Sequence, residues 1–170
     1  AAAPVLAGLA GRLEWPSDLA VRDGATVIVV DSNRSLVARA PFRRLIGERA
    51  HMLWSALGRT YLAFCPHEER EAILTVLAAS RDEADRAARR REWVEAWIAE
   101  TRDAGYAMRD PRHTGPMKEW MRPQSAIAVP VMRGQNVVGC LNCVWPADTL
   151  TRSEIERRVV PRLRRAATAT

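Results

Sequence analysis

Residues 125–145 decide the fold, and they read SAIAVPVMRGQNVVGCLNCVW. Two apolar runs, Ser125 to Met132 and Asn136 to Trp145, are joined by the short connection Arg133-Gly134-Gln135. Apolar runs of this length on either side of a glycine-containing connection are typical of buried strands in a hairpin. The stretch therefore predicts two antiparallel strands near the centre of a sheet.

A second hairpin is predicted closer to the N-terminus. Leu19 and Val21 match Val27 and Val29 in their alternation, and Asp23-Gly24 lies between the two runs. An Asp-Gly step between alternating apolar residues is one of the strongest hairpin signals in a sequence.

The N-terminal residues predict a helix. The leucines of Pro4 to Leu13 recur at helical spacing, and Trp15-Pro16 interrupts the pattern. We interpret residues 1–14 as the end of a linker helix that enters from a preceding part of a longer protein. Residues 15–170 are interpreted as one domain, because a chain of 170 residues that is 48% hydrophobic can bury a sizeable core.

Helices are predicted between the two hairpins and again at the C-terminus. Their ranges are Ser55–Phe64, His67–Leu77, Asp82–Ala104 with a left-handed cap at Gly105, and a closing helix that starts at the capping box Thr151-Arg152-Ser153-Glu154 and bends or breaks near Pro161. Residues 35–52, with Phe42, Leu45 and Ile46 as apolar anchors, are predicted to form a strand and then a loop. This order predicts an α+β fold with a mainly antiparallel sheet flanked by helices.

The basic residues favour a solvated surface. The net charge is +6, and all but one of the 26 basic residues are arginine, the exception being Lys118. They are interleaved with 20 acidic residues, as on helix faces exposed to water. A basic nucleic-acid-binding domain remains an alternative. Its arginines would be Arg86, Arg89, Arg90, Arg91, Arg157, Arg158, Arg162, Arg164 and Arg165.

The cysteines indicate a reducing compartment. Cys65, Cys140 and Cys143 form no even-numbered disulfide framework, and the sequence shows neither a signal peptide nor an apolar run of membrane length. We therefore expect a cytoplasmic protein without a membrane partner. Because strand side chains alternate, Cys140 and Cys143 should be buried thiols on opposite faces of the sheet, and we expect neither a metal ion nor a cofactor.

No catalytic constellation is evident. His51, His67 and His113 stand in no recognisable triad or nucleophile elbow, and no phosphate-binding glycine loop follows a strand. We expect a protein that is not an enzyme. A small cofactor-free hydrolase or lyase that uses His51 or Cys140 remains an alternative.

One polar residue interrupts the last apolar strand. Asn142 faces the same way as Cys140 and Val144 in the predicted pleat. Because a buried amide is unfavourable without a hydrogen bond, Asn142 either bonds to a neighbouring segment or contacts a ligand.

The start of the first central helix also allows two interpretations. Ser55 either caps the helix or, with the amides of Ala56, Leu57 and Gly58, forms a site for a small anion. Trp54 is either an anchor of the core or an aromatic wall of the same pocket.

The segment from Met52 to Phe64 resembles part of the effector domain of the IclR family of bacterial transcription regulators. Gly105-Tyr106-Ala107, the strand 125–131 and the helix after Leu150-Thr151 follow in that family's order. A narrower resemblance is to the branch that regulates catabolism of phenylpropionate-type aromatic acids. It rests on residues 15–18, 62–66 and 138–142.

The resemblance implies a GAF-like, profilin-like domain that binds a small organic acid effector. It also implies assembly into a homodimer or homotetramer. Operator DNA would be bound by a winged helix-turn-helix domain that precedes residues 1–14 and is absent from this chain.

The resemblance places the effector pocket between the sheet and the helix after Ser55. The matching positions are Ala56, Leu57, Arg109, Asp110, Ala126, Asn142 and Val144. Relatives that bind very small acids have an acidic residue, an inward thiol and strand hydroxyls at four of these positions, so this more apolar set predicts an aromatic acid. We expect its ring to lie against Trp54, Leu57, Cys140 and Val144. Its charge would be met by the helix-start amides or an arginine, and its polar substituents by Asn142.

Overall fold

A computed structural model describes residues 2–38, 40, 45–112 and 123–170. The helices are α1 (Ala2–Ala10), α2 (Ala56–Phe64), α3 (His67–Ala78), α4 (Glu83–Arg86), α5 (Arg91–Ala104), α6 (Arg152–Glu154) and α7 (Val160–Thr168). The strands are β1 (Asp18–Asp23), β2 (Thr26–Ser32), β3 (Arg49–His51), β4 (Ala107–Met108), β5 (Gln124–Arg133) and β6 (Asn136–Pro146). They form a six-stranded antiparallel sheet in the order β3-β2-β1-β6-β5-β4, so the predicted α+β architecture is confirmed.

The hairpin predicted from the two apolar runs is confirmed as β5 and β6. Its register runs from Gln124 opposite Pro146 to Arg133 opposite Asn136. Gly134 occupies the turn with φ at 61°, a left-handed conformation that glycine adopts without steric strain. Because β6 also pairs with β1, this strand has neighbours along both edges.

The sheet separates two apolar cores. Cys140 and Val144 of β6 belong to the core with α2, α3 and α5, which we call the α2 face. Leu141 and Cys143 belong to the core with α1 and α7, which we call the α7 face. The predicted placement of Cys140 and Cys143 on opposite faces is confirmed. Both are free thiols, and burial raises the pKa of Cys143 to about 12.

A buried ion pair closes the open end of the β1–β2 hairpin, which is the second predicted hairpin and is confirmed. The Arg34 guanidinium donates from Nε to Oδ1 and from Nη2 to Oδ2 of Asp18, each at 2.8 Å. Ser32 Oγ donates to the same carboxylate at 2.7 Å. The charged side chains of Arg34 and Asp18 are 3% and 2% exposed, so each depends on the other for stabilisation of its charge.

The predicted strand followed by a loop in residues 35–52 is wrong in its described part, although the predicted anchor Leu45 does pack against the core of the α2 face. A 3₁₀ turn, Arg34–Leu36, comes first, and the strand β3 comes last, at the edge of the sheet. After the end of β2, Arg34 turns its guanidinium into the interior, where it binds Asp18. Ile46 is 64% exposed and does not anchor the core, whereas Phe42 lies outside the described residues.

The prediction of a single helix from Asp82 to Ala104 is also wrong. The range holds α4 and a 3₁₀ turn, Ala87–Arg89, and Arg90 separates them from α5. Arg90 has φ −82° and ψ 72°, outside the helical region. The break allows Ala87 and Ala88 to reach the core, where they are 7% and 1% exposed. The predicted left-handed cap at Gly105 is confirmed, with φ at 72°.

The other predicted helices are confirmed as α1, α2, α3 and the C-terminal α6 and α7. The capping box at Thr151 forms with both of its hydrogen bonds. A π-helical turn, Ile155–Val159, leads into Pro161, where the bend was predicted. Proline has no N–H to donate to the Arg157 carbonyl, so the α-helical hydrogen bond at this position cannot form.

Helix α2 lies against the chain that connects it to β3. A Cβ atom on Gly58 would collide with the carbonyl of His51 and lie 2.5 Å from Cα of Met52. These are backbone atoms that cannot rotate away, so glycine is required at position 58. Gly8 in α1, in contrast, has open space around it.

We expect Gly58→Ala to lower the free energy of unfolding by about 3 kcal/mol, because the added methyl group forces α2 to shift. Gly8→Ala is the matched control, since it adds the same methyl group to a helix with open space. It should raise stability by about 0.5 kcal/mol. Urea denaturation followed by circular dichroism measures both variants, and equal effects would contradict the close contact at Gly58.

We expect Asp18→Asn to lower the free energy of unfolding by about 3–5 kcal/mol, because Arg34 is left charged in the interior. The double variant Asp18→Leu with Arg34→Met should recover most of this loss, since apolar side chains need no ionic partner. Thermal and urea denaturation compare the two variants. Unchanged stability in the single variant would show that Arg34 does not depend on Asp18.

Candidate functional site

One row of residues runs across β6 and β5 to the segment just after β4. The backbone N–H of Arg109, just after β4, donates to the Ala126 carbonyl at 2.9 Å. Ala126 in turn lies opposite Val144 in β6. Residues directly opposite each other in antiparallel strands share a face of the sheet. The structure therefore brings Arg109, Ala126 and Val144 side by side.

A second row fixes α2 above the sheet. Ala107 lies opposite Ala128, and Ala128 lies opposite Asn142. Thr60 Oγ1 in α2 donates to the Ala128 carbonyl at 3.0 Å. The side chains beneath α2 are thus mostly alanine, which lets the helix approach the strands closely.

Most of the predicted site residues meet in this region. The same buried cluster contains Trp54, Ala56, Leu57, Ala126, Cys140 and Val144. None of these residues is more than 9% exposed. In this structure the site is closed and filled by its own side chains.

The side-chain oxygen of Asn142 accepts a hydrogen bond from the protein, whereas its side-chain nitrogen can donate to a ligand. Its side chain is buried, and Oδ1 accepts the Asp18 backbone N–H at 2.7 Å. This bond to a neighbouring segment is the structural role considered for Asn142 from the sequence. Nδ2 donates to no acceptor among the described residues, so it is a donor that a ligand can use.

Some of the polar groups at the start of α2 are used by the N-terminal cap of the helix. Ser55 Oγ accepts the Gly58 N–H at 2.9 Å and donates to the His51 carbonyl at 2.7 Å. Ser55 and the Gly58 amide therefore have structural roles. The N–H groups of Ala56 and Leu57 have no acceptor among the described residues, and the helix dipole makes this end positive.

Arg109 and Asp110 differ in what they offer to a ligand. Arg109 is half-buried, and burial lowers the pKa of its guanidinium. Asp110 accepts hydrogen bonds from Arg112 at 2.8 and 2.9 Å and from Arg59 at 2.8 Å. These cations hold the pKa of Asp110 well below its usual range. Its backbone N–H donates to the Trp54 carbonyl, so Asp110 ties the end of β4 to the start of α2.

Trp54 is held by the helices outside the sheet. Its Nε1 donates to the Ala84 carbonyl at 2.9 Å, and its ring lies 5.0 Å from the ring of Trp93, centroid to centroid. Arg59 stacks on Trp97 at 5.0 Å and is a neighbour of the site that sequence reasoning missed. Nothing in the sequence pattern distinguished Arg59 from the other arginines.

A cavity on the α7 face is too small for an organic effector. Its volume is about 40 Å³, whereas pockets for drug-sized ligands have about 300 Å³ or more. It is lined by Arg12, Leu13, Glu14, Trp15, Leu150, Glu154, Arg158, Val159 and Arg162.

One group among the described residues could hold a metal ion, and it consists of His51, Asp82 and Asp85. His51 Nδ1 lies 3.5 Å from Asp85 Oδ1, and Nε2 lies 3.8 Å from Asp82 Oδ2. Asp82 Oδ1 accepts the Ala84 N–H at the start of α4. Asp85 Oδ2 accepts a hydrogen bond from the Ser80 hydroxyl, which precedes α4. The arrangement also suits an ion pair with a protonated imidazole.

The groups considered for catalysis are not arranged for it. Cys140 is fully buried, and burial raises the pKa of its thiol, which disfavours the nucleophilic thiolate. His67 Nδ1 lies 3.2 Å from an Arg70 nitrogen at the start of α3. His113 lies outside the described residues.

Several arginines considered for nucleic-acid binding form hydrogen bonds within the domain. Their guanidinium groups donate to backbone carbonyls, and they are Arg86, Arg89, Arg162 and Arg164. Arg89 and Arg164 bind the last carbonyls of α3 and α5, which otherwise lack partners at a helix end.

Comparison with solved structures finds relatives over the whole length of the chain. An IclR-family transcriptional regulator from Brucella abortus is 27% identical, with 99% of this chain and 60% of that chain covered and a TM-score of 0.75. Thermotoga maritima IclR is 20% identical, with 98% and 64% covered and a TM-score of 0.73. The chain therefore spans less than two thirds of either protein.

A third relative is an isolated domain. It is a double mutant of the inducer-binding domain of the PobR transcription factor from Acinetobacter, in complex with 3-hydroxybenzoic acid. It is 20% identical, with 98% of this chain and 93% of that chain covered and a TM-score of 0.73.

These neighbours are transcription regulators, and their shared fold confirms the predicted GAF-like architecture. No helix formed by the described residues is long and apolar enough to cross a membrane. The model of the family described as bacterial transcriptional regulator IclR C-terminal matches residues 1–170, and this chain therefore belongs to that family.

Proposed function

We propose that this domain binds a small aromatic acid between α2 and the sheet, and that binding regulates a DNA-binding domain elsewhere in the whole protein. The observation that carries the proposal is the position of Arg109 beside Ala126 and Val144, at the N-terminal end of α2. A cation, helix amides and apolar side chains meet there. This combination suits a ligand with one carboxylate and one ring.

The carboxylate is bound at the Arg109 end of the site. The guanidinium is half-buried and charged, so a carboxylate placed against it forms charge-assisted hydrogen bonds. The N–H groups of Ala56 and Leu57 add donors at the positive end of the α2 dipole.

The ring of the acid lies against Leu57, Cys140 and Val144, with Trp54 at the outer margin. These side chains offer no hydroxyl or carboxylate to a very small polar acid. Asn142 Nδ2 donates to a polar substituent of the ring. The PobR domain is described as an inducer-binding domain in complex with 3-hydroxybenzoic acid, and this supports an aromatic ligand here.

Binding is coupled to movement because the site is closed. A ring displaces buried side chains and shifts α2 relative to β5, to which the Thr60 bond to Ala128 connects it. A ligand that favours the shifted arrangement changes the populations of the two states. Sensing is therefore a population shift.

Buried hydrogen bonds connect the site to α1. Asn142 Oδ1 accepts from Asp18 N–H, and the neighbouring Ser17 N–H donates to Asn33 Oδ1 at 2.7 Å. Asn33 Nδ2 donates to the Leu6 carbonyl of α1 at 3.0 Å. In our proposal α1, within residues 1–14, is the end of the linker helix, so this path carries the shift toward the DNA-binding domain.

The remaining parts of the proposal concern the whole protein. It is a homodimer or homotetramer in which a winged helix-turn-helix domain binds operator DNA. It acts in the cytoplasm, where operator DNA is accessible, and has no enzymatic activity. The spacing of the DNA-binding domains changes as the acid shifts the subunit arrangement.

We expect Arg109→Gln to weaken binding of 3-phenylpropionate at least about tenfold, since charge-assisted hydrogen bonds contribute about 1.5–3 kcal/mol. Arg133→Gln is the matched control, because it removes the same charge at an exposed position beyond the site. Calorimetric titration measures both. The neutral amide of the same acid should bind the parent protein and Arg109→Gln equally weakly.

Two results would contradict the proposal. Equal affinity of Arg109→Gln and the parent protein for the acid would exclude Arg109 from the site. Binding of pyruvate or glyoxylate, with none of a panel of phenylpropionates and hydroxybenzoates, would exclude the aromatic class.

We expect Asn142→Ala to reduce the preference for 3-(3-hydroxyphenyl)propionate over 3-phenylpropionate by about fivefold, the effect of one hydrogen bond of about 1 kcal/mol. The variant also loses the bond to Asp18, which changes its stability. The ratio of the two affinities within one variant cancels that loss. An unchanged ratio in calorimetric titration would show that Asn142 does not read the hydroxyl group.

A further inference from the structure

Three arginines surround one tryptophan at the edge of the site. The Cζ atoms of Arg59, Arg90 and Arg112 lie 5.5, 4.7 and 5.6 Å from the ring centroid of Trp93. Arg90 and Arg112 also lie 5.9 and 5.3 Å from the ring of Trp54. We call these five residues the arginine–tryptophan cluster. Aromatic faces attract guanidinium groups, so the rings hold the cations close together.

The cluster carries an excess of positive charge. Asp110 pairs with Arg59 and Arg112, but Arg90 forms no salt bridge with any of the described residues. Glu100 is a further acid that acts on Arg59, more weakly than Asp110. Like charges repel, so an anion that joins the cluster relieves the repulsion.

The cluster extends from the interior to the surface. The side chain of Arg59 is 11% exposed and that of Arg112 is 57% exposed. Arg90 is exposed and Trp93 is half-buried. Positive charge is therefore accessible at the outer end of the cluster, beside the partly exposed Trp93 side chain.

The cluster adjoins both sides of the proposed binding site. Trp54 directly precedes the cap of α2, and Asp110 directly follows Arg109. The Asp110 N–H donates to the Trp54 carbonyl at 3.0 Å. The inner end of the cluster thus lies where α2 and β4 meet.

We propose that the arginine–tryptophan cluster is the mouth of the site, where an aromatic carboxylate is first captured before it reaches Arg109. The carboxylate is attracted by Arg90 and Arg112, and the ring of the acid lies next to the partly exposed Trp93 side chain. This inference rests on the proposed function for its final ligand. The attraction of anions to the mouth is a property of the cluster itself.

Arg90→Gln tests the mouth and leaves the salt bridges of Asp110 with Arg59 and Arg112 in place. Arg157→Gln is the matched control, because it removes one exposed charge from the C-terminal helix region. Stopped-flow tryptophan fluorescence measures association of 3-phenylpropionate. Arg90→Gln should lower the association rate constant about fivefold at low salt and leave dissociation unchanged, since steering acts on encounter. The difference should vanish near about 0.5 M NaCl, where charges are screened.

A second measurement does not depend on the effector. The fluorescence of Trp93 is obtained as the difference between the parent protein and Trp93→Phe. Quenching of this fluorescence by iodide reports the anion concentration at the cluster, and quenching by acrylamide, which is neutral, is the comparison. Arg90→Gln should halve the iodide quenching constant and leave the acrylamide constant unchanged. Arg157→Gln should change neither.

The two measurements separate the possible failures. If no acid binds but the iodide result holds, the proposed function fails and the anion-attracting mouth stands. If the acid binds and Arg90→Gln behaves as Arg157→Gln in both measurements, the mouth is excluded and the cluster only braces α5 against α2.

Discussion

The alternation of side chains along β6 is the constraint on which the structure depends. Cys140, Asn142 and Val144 face α2, while Leu141 and Cys143 face α1 and α7. Since β6 is paired on both edges, it cannot slip by one residue without exchanging the two cores. The strand therefore belongs at once to the proposed ligand face and to the face that contacts α1.

Buried polar groups connect these two faces. Asn142 binds the β1 backbone at Asp18, and the Asp18 carboxylate holds Arg34 at the end of β2. Asn33 then bonds Ser17 on one side and α1 on the other. Buried hydrogen bonds are directional, so a displacement at the sheet changes their geometry more than it changes apolar contacts. This property makes them suited to the transmission that we propose.

Local signals predicted most elements because local chemistry decides them. Gly134 and Gly105 take positive φ values where a turn and a helix cap were predicted, and Thr151 forms its capping box. Two failures involve non-local contacts. After β2, Arg34 binds a carboxylate 16 residues away, and beside the break at Arg90 the side chains of Ala87 and Ala88 pack into the core formed with α2 and the sheet. Neither distant partner is visible in a local pattern.

The sequence by itself determined the α+β class, both hairpins, the opposite orientation of Cys140 and Cys143 and the order of motifs that resembles one regulator family. Periodicity and turn chemistry act over a few residues, so they can be read along the chain. Tertiary structure alone decided which donors remain for a ligand. It assigned Asn142 Oδ1 to Asp18, Ser55 to its cap and Asp110 to two arginines, because hydrogen-bond partners are chosen by proximity in space rather than in sequence.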